Sequence, residues 1–193
     1  MFKRLLQNLF GKTSPAGPAA VTRINAPPAA ATLSESITVY DVHGREMLIA
    51  RAEWVEKMLR PQLRAKWDDP DELYSLIVSA LNDGFVAEVD DASARLLAID
   101  QTLERGRVLR AIVLLKLYRL EDAEHVLRSA IVATGETGTL LTNLAKVEDA
   151  RGKTTQADAT LWKALTLDPN QDNGLAWWTA RERDQGGESA YVA

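Results

Sequence analysis

Catalysis would most readily start at a histidine or at a pair of converging carboxylates, and this chain offers few of either. His43 stands in an expected turn between Asp41 and Arg45, and His125 follows Glu121, Asp122 and Glu124 in a helical run. Neither has a second histidine four residues on, so the His-Glu-x-x-His zinc arrangement is absent and both read as solvated residues. Acidic pairs occur at Asp68-Asp69, Asp90-Asp91 and Glu121-Asp122. General acid–base work needs two carboxylates from different elements, whereas neighbours on one helix diverge. Each pair also precedes a helical run, where negative charge offsets the helix dipole by ~0.3–1 kcal/mol. There is no Gly-rich phosphate loop and no Gly-x-Ser-x-Gly elbow. The lack of cysteine removes disulfides, thiolate metal sites and cysteine nucleophiles together. What remains for an enzyme is Asp41, His43 and Glu46, which would have to converge in one pocket. The expectation is a chain without catalysis, metal or cofactor.

Composition bounds the partners. The 193 residues suffice for one ordinary domain plus tails, and a hydrophobic content of 46% suits a globular core. A net charge of -4 argues mildly against nucleic acid. Residues 1–36 hold Lys3, Arg4, Lys12 and Arg23 against Glu35, so they carry +3 and residues 37–193 carry -7. No apolar run approaches the ~20 residues of a membrane-spanning helix. The start has no secretory pattern, and a cytoplasmic location is the default.

The elements follow from periodicity. In residues 1–12, Phe2, Leu5, Leu6, Leu9 and Phe10 form one stripe of a basic amphipathic helix, with Gly11 as its stop. Alone it is too short to be stable, since isolated helices below ~12–15 residues are marginal. Residues 13–36 hold Pro15, Pro18, Pro27 and Pro28 among Ala, Ser and Thr, the composition of a disordered linker. Residues 37–67 form a preface: two short strands around a turn at Asp41 to Gly44, then a helix carrying Trp54, Met58 and Leu59. Pro61 is expected to break or kink that helix, with a short continuation to Trp67. Asp69-Pro70 signals the next helix start, which runs to about Asn82 and is closed by Gly84. Its partner is expected from about Val89 to Leu103, presenting Ala92, Leu96 and Ile99.

The last part, 68–193, is repetitive. Leu141, Leu144, Ala145 and Glu148 sit at i, i+3, i+4 and i+7 of one helix. Gly152 stands where a helix needs a left-handed C-terminal residue. Ala157, Leu161, Ala164 and Leu165 form a second stripe, stopped at Asp168-Pro169. A copy 34 residues upstream pairs Ala111, Ala123, Leu127, Ala130 and Ile131 with these positions. Two repeats thus span about 104–137 and 138–171. A degenerate one precedes them, with Ala92 to Ala123 spaced 31, and a fourth starts at Asp172, where Leu175 and Trp178 match Leu141 and Leu144.

This spacing resembles the tetratricopeptide repeat (TPR) pattern over about Asp69 to Gln185. The implied fold is all-α: a TPR-type helical-hairpin solenoid of about three and a half hairpins, with the β-hairpin and helix preface ahead of it. The preface resembles a segment seen before repeats in uncharacterised bacterial proteins. The chain departs from the pattern at Glu148, where the family usually has tyrosine, at Arg107 and Arg110 in apolar places, and at Tyr118 in the glycine place. These departures put the packing of the second hairpin in question.

The resemblance implies a concave groove lined by the first helix of each hairpin. Here the groove face comprises Val108, Ile112 and Lys116, then Thr142, Asn143, Lys146 and Asp149, then Asn173, Trp177 and Arg181. Chaperone-binding members clamp a peptide's terminal carboxylates with lysine, arginine and asparagine. At the five corresponding positions stand Val108, Ile112, Asn143, Asn173 and Trp177, and only Asn143 agrees. Trp177 has two readings: a binding residue in the groove, or a seal against Tyr191 at the solenoid's end. Trp178 falls on the core stripe, Trp162 flanks the next hairpin, and Trp54 and Trp67 attach the preface.

The implied function is a non-enzymatic scaffold or adaptor that binds a protein or peptide segment. The alternative is a membrane-peripheral adaptor anchored through Phe2, Leu5, Leu6, Leu9 and Phe10, a helix that could equally dock on a partner or fray. The fourth repeat's second helix is expected to be cut short. That leaves an apolar end open to self-association.

Overall fold

The computed structural model describes residues 36–40, 45–100 and 103–184. The proposed N-terminal helix and linker, Asp41, His43 and Tyr191 lie outside the described residues. Strands β1 (Ser36–Tyr40) and β2 (Glu46–Ala50) pair antiparallel, with Ile37 opposite Ile49 and Val39 opposite Met47. The chain then enters α1 (residues 51–65), and seven more helices follow. These are α2 (Pro70–Asn82), α3 (Asp90–Ile99), α4 (Leu103–Lys116), α5 (Leu120–Thr134), α6 (Gly138–Ala150), α7 (Thr154–Leu167) and α8 (Asp172–Asp184).

Pro61 does not break α1. The helix passes through it, with a π-helical turn over Val55–Leu59 immediately before. A π turn shifts the hydrogen-bond pattern by one residue, which offers the carbonyls before a proline another arrangement when its N–H is missing. Helix α3 ends at Ile99, short of the expected Leu103, because Asp100 adopts an extended conformation.

Helices α2 to α7 form three antiparallel hairpins, and α8 begins a fourth. Asp69 caps α2 by accepting from the N–H groups of Asp71 and Glu72, with Pro70 at the first helical position. Thr137 caps α6 through the Leu140 N–H at 3.1 Å. The turns inside the hairpins repeat every 34 residues: Gly84, Tyr118 and Gly152 all have positive φ, at 81°, 63° and 77°. Each is followed by the same six-residue closure, with Phe85 donating to Ala80, Arg119 to Leu114 and Lys153 to Glu148. Tyr118 therefore keeps the glycine's conformation without being glycine.

The first hairpin's irregularity is local. From the left-handed turn residue to the small residue of the second helix is eight positions at Gly84–Ala92, against five at Tyr118–Ala123 and Gly152–Ala157. The additional length is taken up by a 3-10 turn at Ala87–Val89, whose Val89 is fully buried.

The small residues do what the spacing requires. Ala123, Ala130, Ala157 and Ala164 are fully buried, along with Leu127 and Leu161. One apolar cluster joins α1 to α4 through Val55, Leu59, Leu73, Ile77, Leu96 and Leu109, with Trp54 and Trp67 packed on its edge. A second joins α4, α5 and α6 through Leu114, Leu127, Leu140 and Leu144. Among the described residues, no helix is long and apolar enough to cross a membrane.

Candidate functional site

The first helices of successive hairpins are in direct contact, α4 on α6 and α6 on α8. The second helices α5 and α7 are parted by a cleft instead. The layer of first helices is thus the tighter side of the array, and their outward faces are the surface that the TPR resemblance assigns to the groove. Its middle comes from α4 and α6: Val108, Ile112, Asn143, Lys146 and Asp149 are half-buried, and Lys116 is exposed at the end of α4. From α8 come Asn173, which is exposed, and Trp177, which is half-buried. Arg181 lies on α8, and its side chain is outside the described residues.

Thr142 is a correction. It is 1% exposed and does not line the groove. In the amide orientation that satisfies both ends, Gln171 donates to the Thr142 hydroxyl (2.6 Å) and the Gly138 carbonyl (3.0 Å), and accepts from the Thr139 N–H (3.1 Å). Thr142 thereby helps tie the start of α8 to α6. Periodicity placed it on the outward face, but the neighbouring hairpin covers it. Gly174 of α8 permits that closeness, since a Cβ there would meet the Thr142 hydroxyl oxygen at 3.2 Å.

Lys146 is chemically the most distinct group on this face. It has no hydrogen-bond or ion-pair partner among the described residues, and burial pushes its ammonium below the usual lysine range. Asn143 spends its Nδ2 on the Thr139 carbonyl at 2.9 Å, which leaves its Oδ1 as an acceptor.

A set of charge pairs lies away from the expected groove face, and of its members the sequence singled out only Arg110 and Glu148. Arg110 fills a core position of α4 and donates to the Asp90 carbonyl (2.8 Å), the Asp90 carboxylate and the Ser93 hydroxyl (2.7 Å). Glu148 is 0% exposed; it accepts from Arg128 (2.9 Å), Gln156 (2.7 Å) and Thr160 (2.8 Å). Arg128 also donates to Glu124 at 2.8 Å, and Arg151 and Lys153 converge on the same carboxylate. Burial alone would raise the Glu124 carboxyl, but the hydrogen bonds from Arg128 and Lys153 outweigh it and hold the group below its ordinary range. Arg51 bridges the preface to the first hairpin: it pairs with Glu88 (3.0 Å), donates to the Gly84 carbonyl (3.0 Å) and lies 4.2 Å over Phe85. The only sequence signal for any of these is a charged residue standing where the repeat expects an apolar one.

Of the residues weighed for catalysis, Asp41 and His43 lie outside the described residues. His125 is exposed on α5, and Glu46 is exposed on β2. Among the described residues no group of three or more His, Asp or Glu side chains could hold a metal ion.

Two solved structures are similar to this chain in fold. A crystal structure of MamA aligns with 65% of this chain and 77% of its own, at a TM-score of 0.50 and 18% identity. MamA 41-end from Desulfovibrio magneticus RS-1 aligns with 72% of this chain and 80% of its own, at a TM-score of 0.51 and 20% identity. The fold is a TPR-type solenoid. At such identities the likeness concerns the fold alone. No family model matches the chain, and no curated protein matches it significantly. Within the TPR frame, α2–α3, α4–α5 and α6–α7 are the three hairpins. Leu175 and Trp178 of α8 occupy the places that Leu141 and Leu144 fill one repeat earlier. Those two are buried under α7, whereas Leu175 is 41% exposed and Trp178 tilts against Trp162 at 5.7 Å.

Proposed function

We propose that this chain is a non-enzymatic interaction scaffold that holds a protein or peptide segment against the inner face of α4, α6 and α8. Lys146 is the observation that supports the reading best. A half-buried ammonium without a partner among the described residues costs stability, and an acidic group of a bound segment would recover that cost. Ile112 stands one repeat before Lys146 and Trp177 one repeat after Asn143, so apolar contact surface flanks the cation on both sides. With Thr142 removed, the proposed groove comprises Val108, Ile112, Lys116, Asn143, Lys146, Asp149, Asn173, Trp177 and Arg181. A chaperone-type carboxylate clamp is not proposed, because Val108, Ile112 and Trp177 cannot supply its cations.

The test is selection of binding peptides from a random display library, followed by titration against wild type and the Asn143→Ala/Lys146→Met/Trp177→Ala variant. Acidic peptides should be enriched, and the variant should lose them while keeping its helical signal and cooperative melting. Peptides bound equally by both proteins would remove the groove from the proposal.

The apolar stripe of Phe2, Leu5, Leu6, Leu9 and Phe10, beside the basic Lys3, Arg4 and Lys12, supports a second reading, a peripheral membrane adaptor. Co-sedimentation with anionic liposomes, with and without residues 1–12, tests it. Equal recovery would dispose of the anchor.

A further inference from the structure

A second concavity opens on the outer side of the array, away from the groove. The cleft between α5 and α7 has a volume of about 310 Å³. Its apolar lining is Ile131, Leu141 and Leu144, and Arg128, Gln156 and Thr160 line it with polar atoms. The Arg128 guanidinium is fixed along its edges, where Nε donates to Glu124 at 2.8 Å and Nη2 to Glu148 at 2.9 Å. Both bonds lie in the guanidinium plane, so its flat faces are not used by them.

Two other arginines show what such a face takes in this protein. Arg51 pairs with Glu88 and lies 4.2 Å over the Phe85 ring. Arg105 pairs with Asp100 and lies 4.9 Å over the Tyr74 ring. Arg128 is clamped by carboxylates in the same way, its side chain is 47% exposed, and no ring of the described residues lies over it.

Charge narrows the occupant further. The cleft's charges are already matched, Arg128 with Glu148 at 2.9 Å and Lys163 with Glu136 at 2.6 Å. The four charges cancel, so neither a free anion nor a free cation gains by entering. A flat, polarisable and mostly apolar group does gain, from the guanidinium face on one side and the Ile131–Leu144 lining on the other. Val132, also in the lining, is 88% exposed, so the cleft is open to solvent there.

We propose that this outer cleft is a second binding site that takes one aromatic side chain, Tyr or Phe, from a partner polypeptide, with its ring on the Arg128 guanidinium. It shares no residue with the inner groove and stands whether or not the groove binds peptide.

The experiment titrates the full chain with blocked pentapeptides Gly-Gly-X-Gly-Gly, where X is Tyr, Phe, Leu or Ala, and follows backbone amides by NMR. The Tyr and Phe peptides should shift amides of residues 128–132 and 156–163 saturably, with affinity about fivefold above that of the Leu peptide. Arg128→Lys keeps a cation between Glu124 and Glu148 but removes the flat face, and should weaken the Tyr peptide by about the same factor. Val132→Tyr changes a side chain too exposed to matter for folding. It supplies a ring one turn from Arg128 and should block the peptide. Shifts no larger for Tyr than for Leu, shifts confined to the inner groove, or a Tyr affinity unchanged in both variants would overturn the proposal.

Discussion

Asp71 and Arg105 stand 34 residues apart, at the same place in successive hairpins, and their side chains meet at 2.7 Å across α2 and α4. Arg105 also grips Asp100 through two bonds, at 2.9 and 3.1 Å, and lies over Tyr74. These contacts hold its guanidinium above the usual arginine range, with the Asp100 hydrogen bonds first among the causes. The two carboxylates differ in burial, 81% exposed for the Asp71 side chain and 2% for that of Asp100. Asp71→Asn should change stability by under about 1 kcal/mol. Asp100→Asn removes the desolvated anion and should cost about 2 kcal/mol. Urea unfolding of both variants gives the comparison, and equal losses would refute the dependence on burial.

Tyr118 holds a left-handed conformation that costs a non-glycine residue roughly 1 kcal/mol or more. Tyr118 is 43% exposed, so it packs only in part and replacing it gives up less than a core tyrosine would. Tyr118→Gly should therefore stabilise the chain by about 1 kcal/mol, and Gly152→Ala should destabilise it by a similar amount. In melting temperature each is a shift of roughly 2–4 °C, with opposite signs. A loss of stability in Tyr118→Gly would mean that the tyrosine ring matters more than the backbone.

Glu124 governs part of the acid limb of stability. Its folded carboxyl titrates below its ordinary value of 4.5, so the unfolded chain binds the proton more readily. The contribution is fully present above about pH 4.5 and is lost as pH falls through the lower, folded value. Glu124→Gln should flatten the stability profile in that window while leaving Arg128, Arg151 and Lys153 in place. An acid limb as steep as that of wild type would assign the effect to other carboxylates.

Lys146 separates a binding role from a folding role. Burial lowers its folded value below the ordinary 10.5, so the charged group penalises the folded state at neutral pH, and that penalty fades as pH rises through 10.5. Lys146→Met should raise the melting temperature of the free protein at pH 7 and weaken capture of acidic peptides. The stability gain should shrink in alkaline buffer. A variant less stable than wild type at pH 7 would show that the lysine stem supports the core.

The turn at Gly152, the Ala157–Leu161–Ala164 stripe and the Asp69-Pro70 start were all legible in the sequence. Each is a rule about residues within one or two helical turns. The offset of the first hairpin was legible only as a spacing of 31. That its cause is a 3-10 turn at Ala87–Val89, with both flanking helices kept, needed the coordinates. Periodicity also placed Thr142 on the groove face, since it describes one helix and carries nothing about the neighbour that covers it.

That this chain folds into stacked helical hairpins follows from residue order alone, because apolar spacing of three to four residues and turn residues act locally. The fate of the misplaced charges depends instead on how the hairpins pack. The partners of Arg110, Arg128 and Arg105 lie 17, 20 and 34 residues away, a separation set by how one hairpin stacks on the next. Stacking buried Glu148, opened the cleft beside Arg128 and left Lys146 half-buried without an ion-pair partner among the described residues. A charge among apolar neighbours declares a cost in the sequence, and only the packed fold shows which group offsets it.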